Sequence, residues 1–282
     1  MHKGSDERAG SEKVWFVLRY FSRKIKAHHV DAYAAQAAFF LLLSAVPLLL
    51  LGLSLFRLLP IPEGSLSGGW SGFFPPAVAE LLLGAVDALP GGEGSLLTSV
   101  SLATVLWAAS KSVYYLIGGL NSVFEVKEER GYLRVRILAV VYTAALILAI
   151  AGALVLMVFG GFLAERAADC FPGAEKLMRG LSSFRFFIGM LFLTVIFSAV
   201  YTVLPDRRAS FFGQLPGALT ASVGWMLFSL LFSFYVERFA DYTGIYGGLA
   251  AIAVFMLWLY VCMYILLMGG EINLLAARVK KL

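Results

Sequence analysis

Six long runs of apolar residues constrain this chain more than anything else in its sequence. They lie at about 32–59, 95–121, 136–163, 184–204, 212–236 and 246–275. A helix rises 1.5 Å per residue, so about 20 residues cross the roughly 30 Å of hydrocarbon in a bilayer. Backbone in lipid must satisfy its own hydrogen bonds, which leaves helices or a closed barrel. These runs are continuous rather than alternating, and far longer than the roughly 10 residues of a barrel strand. One run alone would read as a buried core helix; six in 282 residues do not. Apolar residues make up 60% of the chain and charged residues 15%. A soluble globule of this length cannot hide so much apolar surface. The sequence predicts an all-α membrane protein. A cytoplasmic segment, 1–30, precedes a bundle of six transmembrane helices over 31–277, and a basic tail, 278–282, follows it.

The connections set the orientation. Residues 1–30 carry seven Lys and Arg, 122–136 carry four, 205–211 carry two and the tail three. The alternate connections are poorer: 60–94 has none, 164–183 has three and 237–245 has one. Sixteen basic residues thus face four across the bundle. The positive-inside rule puts the rich side in the cytoplasm. Both termini then lie there, as an even number of spans requires. The expected location is the inner (plasma) membrane.

Two flanking segments predict further helices. Over 13–26, Val14, Leu18, Phe21 and Ile25 share one face of a helical wheel, opposite Lys13, Arg19, Arg23, Lys24 and Lys26. This pattern fits an interfacial helix lying on anionic inner-leaflet lipids. The bilayer already accounts for its basic face, so no nucleic-acid partner is called for. The outer connection is rich in Gly, Pro and Ser, and within it residues 76–89 form a short amphipathic pattern opened by proline.

Polar residues at membrane depth are the informative ones. Lys111 lies in the second run about ten residues before its inner end, which places it about 15 Å deep. A charged Lys at the centre of a span costs about 2.5–3.5 kcal/mol on insertion scales. It either lines a polar cavity and meets an anion, or snorkels or pairs with a carboxylate. Its neighbour Ser110 and the inner-end Asn121 join it as cavity candidates. In the first run Gln36, Ser44 and Pro47 break the apolar surface, and Pro47 frees a backbone carbonyl. The sixth run opens on Gly244-Ile245-Tyr246-Gly247-Gly248 and closes on Gly269-Gly270-Glu271-Ile272-Asn273. Tyr246, Glu271 and Asn273 complete the candidates, with Glu271 a partner for Lys111 or for basic loop residues. Gly244/Gly248 and Gly213/Gly217 match the small-residue spacing that lets helices approach closely.

No catalytic or cofactor pattern is present: neither GxSxG, nor a phosphate-binding P-loop, nor HExxH. Cys170 and Cys262 make no disulfide framework or CxxC pair, and the three histidines, His2, His28 and His29, all fall near the N-terminus. The expectation is a non-enzyme without metal or cofactor.

Four pieces in register resemble the YihY/BrkB family. They are residues 34–47 (AAQAAFFLLLSAVP); Leu120-Asn121-Ser122-Val123-Phe124-Glu125-Val126 leading into Glu128-Glu129-Arg130; Leu204-Pro205-Asp206-Arg207-Arg208 with Gly217-Ala218 and Trp225; and the glycine-rich sixth run with Trp258-Leu259-Tyr260. The resemblance spans about 15–277. It implies a six-helix inner-membrane protein, discussed as a transporter or as a factor in envelope integrity. It also implies that the family's older label, ribonuclease BN, is a misassignment. The reading is a transporter or flippase of an anionic or lipid-linked envelope compound; the alternative is a non-transporting membrane scaffold. Partners are then the bilayer and an anionic or lipid substrate, and the protomer is compatible with a monomer or a homo-oligomer.

Overall fold

The computed structural model describes residues 23–57, 95–149, 185–239 and 247–279. The described residues are helices joined by short turns, with no strand among them. A short helical segment, 23–27, leads into α1 (Val30–Arg57). Then come α2 (Ser95–Val123), α3 (Tyr132–Ala149), α4 (Arg185–Val203), α5 (Leu215–Phe239) and α6 (Gly247–Val279). A 3₁₀ turn, Phe212–Gln214, precedes α5. The stretches Tyr132–Ala149, Phe212–Val236 and Ile252–Val279 are each long and apolar enough to cross a membrane. The interfacial helix over 13–22, the outer helix over 76–89, and Gly244 and Tyr246 lie outside the described residues.

Each described helix falls within or around one of the six apolar runs, and the differences have physical causes. The third helix begins at Tyr132 rather than 136. Arg134 and Arg136 read as loop by their charge, but long cationic side chains tolerate a helix end by reaching out of it. The sixth extends to Val279, because Arg278 in its last turn favours a helix C-terminus.

α1 and α2 lie along each other as the most extensive pair; α6 packs on both α1 and α5, and α4 on α5. Small residues set these distances. The Tyr33 ring lies against Gly118 and Gly119, and a Cβ on Gly118 would come within 2.9 Å of it. α5 meets α6 backbone to backbone: a Cβ on Gly269 would lie 2.7 Å from the Gly217 carbonyl oxygen. Gly213 packs on nothing but Ser210, so this crossing uses one glycine from each helix rather than a GxxxG pair. Outward-facing apolar side chains stay bare, among them Leu148, Leu191, Leu231 and Phe234, each at least 60% exposed. A surface of that kind needs lipid or a partner against it.

Candidate functional site: a polar collar and a tyrosine-lined cleft

One end of the bundle is built on two αL residues. α2 ends in a Schellman turn: Val126 N–H donates to Asn121 O at 2.8 Å and Glu125 N–H to Ser122 O at 3.1 Å. The residue in the left-handed conformation is Glu125, at φ 56°, where glycine is usual. His29, at φ 51°, occupies the same region between the 23–27 segment and α1. A non-glycine residue held there costs on the order of 1–3 kcal/mol, so its surroundings must hold it.

For Glu125 those surroundings are cationic. Lys24 and Arg278 both hydrogen-bond to its carboxylate, and His28 Nε2 lies 3.5 Å away. The Lys24 hydrogen bond, helped by the charges of Lys24 and Arg278, holds the Glu125 carboxyl below the usual carboxylate range against desolvation, the second-largest effect. The other face of the imidazole meets α6: His28 Nδ1 donates to Glu271 Oε1, and both residues are buried. Ser122 Oγ donates to His28 O at 2.9 Å. The 23–27 segment, the end of α2 and the end of α6 are thereby tied through one ring.

Beside this knot stands a second. Arg130 grips Glu128 by two parallel bonds of 2.7 Å, and its backbone N–H adds a third at 3.0 Å. Arg130 Nη2 also donates to Leu204 O at 3.0 Å. Asn121 bridges both loops: its Nδ2 donates to Glu128 Oε2 at 2.7 Å, while its Oδ1 accepts from Asp206 N at 2.8 Å. The guanidinium bonds hold the Glu128 carboxyl below its ordinary range and raise Arg130 in turn. Arg207 lies flat over Phe124, 3.4 Å from the ring centroid, and donates to Gln214 Oε1 at 2.9 Å. Burial lowers its pKa. Asn273 Oδ1 accepts from Gly217 N at 2.7 Å and pins the α5–α6 crossing.

Above the collar, between α1, α2 and the start of α3, opens a cleft of about 730 Å³. Tyr33, Tyr114, Tyr115 and Tyr132 form its walls, with Gln36, Asn121, Glu128 and Arg130 supplying polar atoms and His29 lining the entrance turn. Aromatic faces with a few fixed donors and acceptors suit a ligand having both apolar and polar parts. Phe40 stacks on Tyr115 with centroids 5.4 Å apart. Tyr115 lines the cleft; Phe40 and Lys111 do not.

The structure distributes the sequence candidates unevenly. Gln36 and Asn121 share the cleft. The Ser44 and Ser110 hydroxyls turn back onto their own helices, at Leu41 O and Trp107 O. Glu271 and Asn273 are buried in helix contacts, and α1 runs unbroken through position 47. Glu271 does not meet Lys111: its partner is His28. The Lys111 ammonium sits 4.4 Å from the centroid of Trp107 and 4.8 Å from that of Phe40. Its level relative to α3 is also defined. Tyr132 meets Tyr114 edge-on at 6.1 Å, so α3 starts abreast of Tyr114 rather than at the end of α2, and Arg136 reaches Trp107 O at 3.2 Å. Lys111 is therefore level with the basic end of α3. His28, Tyr33, Arg130 and Asp206 were not singled out from sequence. The one signal they gave was membership of, or closeness to, the motif pieces, which this fold brings together.

That convergence decides the kinship. The virulence factor BrkB family matches residues 21–281. The chain belongs to this BrkB family. Among its relatives, the ribonuclease-like protein YfkH of Bacillus subtilis is 33% identical over 95% of this chain and 97% of its own length. The UPF0761 membrane protein of Vibrio campbellii is 27% identical over 91% of this chain and 80% of its own. That of Aliivibrio fischeri strain ES114 is 26% identical over 92% and 82%. No solved structure matches. This BrkB protein is a membrane protein. Among its described residues no group of three or more His, Cys, Asp or Glu is placed to hold a metal ion.

Proposed function

We propose that this BrkB protein crosses the inner membrane six times with both termini in the cytoplasm, and moves an anionic or lipid-linked envelope compound out of the inner leaflet. The observation that carries the reading is the cleft: four tyrosines and an Asn–Glu–Arg set open among helices at the basic end of the bundle, on the same helix as Lys111, whose ammonium lies over the Trp107 ring. Sixteen basic residues against four support the orientation. Ribonuclease chemistry finds little support, because nuclease sites need clustered metal ligands or an acid–base pair. The collar carboxylates are instead committed to Arg130, Lys24 and His28. One observation favours the second reading, a non-transporting scaffold in envelope integrity. Tyr115 of the cleft wall stacks on Phe40, which is not part of the lining, so the cleft is backed there by aromatic packing rather than by polar groups.

Reconstitution separates the two. In proteoliposomes bearing a fluorescent anionic phospholipid in one leaflet, the transporter reading expects protein-dependent exchange that falls at least tenfold in Gln36→Leu/Tyr115→Leu. No exchange above that of empty vesicles would leave the scaffold.

A further inference from the structure

We propose that Lys111 and Arg136 form a phosphate site on the lipid-facing surface, occupied by an anionic phospholipid of the inner leaflet. Two cations from different helices converge on Trp107. The Lys111 ammonium lies over its ring at 4.4 Å, and Arg136 Nη2 donates to its carbonyl at 3.2 Å. Among the described residues neither cation has a carboxylate within ion-pair distance. The described helices are poor in acids: α1 to α6 contain only Asp31, Glu237 and Glu271. Asp31 opens α1, Glu237 closes α5 at the opposite end of the bundle, and Glu271 is held by His28.

The site faces outward. Trp107 is 54% exposed, and on the flanking helices Phe39, Leu43, Ile137 and Val141 are about half exposed. A free phosphate would have to leave water for this apolar surround; a phospholipid brings its own chains to cover it. An indole with adjacent Lys and Arg also suits the level of the headgroups. Arg supplies paired donors and Lys a point charge, which together match a phosphodiester. The inference deepens the proposed function by naming a phospholipid as ligand, yet binding here does not require transport.

Brominated lipids quench indole fluorescence on contact, so Trp107 itself reports occupancy. The full chain is reconstituted in phosphatidylcholine vesicles containing increasing brominated phosphatidylglycerol, and in the reverse mixture with the bromines on phosphatidylcholine. The difference between wild type and Trp107→Phe isolates the Trp107 signal. With each of the two cations contributing roughly fivefold at a membrane surface, phosphatidylglycerol is expected to quench Trp107 at a mole fraction roughly 25-fold lower than phosphatidylcholine. The remaining tryptophans show no such preference. In Lys111→Gln/Arg136→Gln the two curves coincide, and glycerol 1-phosphate in the buffer does not reverse the quenching. Coincident curves in wild type, a preference surviving in the double variant, or displacement by glycerol phosphate would each overturn the proposal. Should the double variant not assemble, the wild-type curves decide alone. Absence of lipid exchange in the flux assay leaves this titration unaffected, so the two readings fail separately.

Discussion

Arg130 and Lys111 both contribute a cation beside α2, and the chain treats them in opposite ways. Arg130 is given a carboxylate, a carbonyl and a second carboxylate 3.6 Å away, so its Nε and Nη2 are engaged inside the protein. Lys111 is given two aromatic faces and no acid among the described residues. A cation with a bidentate carboxylate partner serves assembly, because removing it strands a partner already partly desolvated. A cation held only by rings retains unused hydrogen-bonding capacity for something from outside. The contrast separates a cation that braces the wall of the cleft from one left open to a partner from outside.

Arg130→Ala should produce the largest effect. It leaves Glu128 half-desolvated without its bidentate partner and should lower unfolding free energy by about 3 kcal/mol, read as a fall in the thermal midpoint of the detergent-solubilised protein. Lys111→Gln, which strands no carboxylate, should stay within about 1 kcal/mol of wild type. Equal losses in the two would break the contrast. Asn121→Ala comes next, at about 2 kcal/mol, since both amide ends are used across two loops. Asn121→Asp should be as damaging, because it sets a second carboxylate against Glu128; a harmless Asn121→Asp would show that the bridge is dispensable.

The smallest effect is a pH dependence. Arg130 depresses the folded pKa of Glu128, so the stability this pair contributes is present above the ordinary carboxylate range and is lost as pH falls through the depressed value. Wild type should therefore lose thermal midpoint below about pH 4.5 more steeply than Glu128→Gln. Parallel curves for the two proteins would assign acid sensitivity elsewhere, with Glu125 the next group to test because Lys24 depresses it in the same sense.

The helices were legible because backbone in lipid admits few structures, and a run of 20 apolar residues has hardly any other reading. The collar was not. His28 and Glu271 are 243 positions apart, and no local pattern links a histidine near the N-terminus to a glutamate near the other end. The level at which α3 stands beside Lys111 is hidden for a related reason. Counting along α2 to Asn121 says nothing of where the next helix begins, and the 124–131 connection folds back and starts α3 level with Tyr114. Helical periodicity carries no signal for such a return. The motif pieces gave the best hint, since Asn121, Glu128, Asp206 and Glu271 all belong to them and all end in one layer.

The Gly217–Gly269 crossing has a mechanical consequence. With main chain touching main chain and Asn273 bolting the joint, α5 and α6 have no cushion of side chains across which to slip. The joint is fixed main chain to main chain. The opposite wall is made of rings instead: Tyr114 meets Tyr115 and Tyr132 edge-on and Tyr33 lies on Gly118 and Gly119, contacts that yield by ring rotation without breaking a helix.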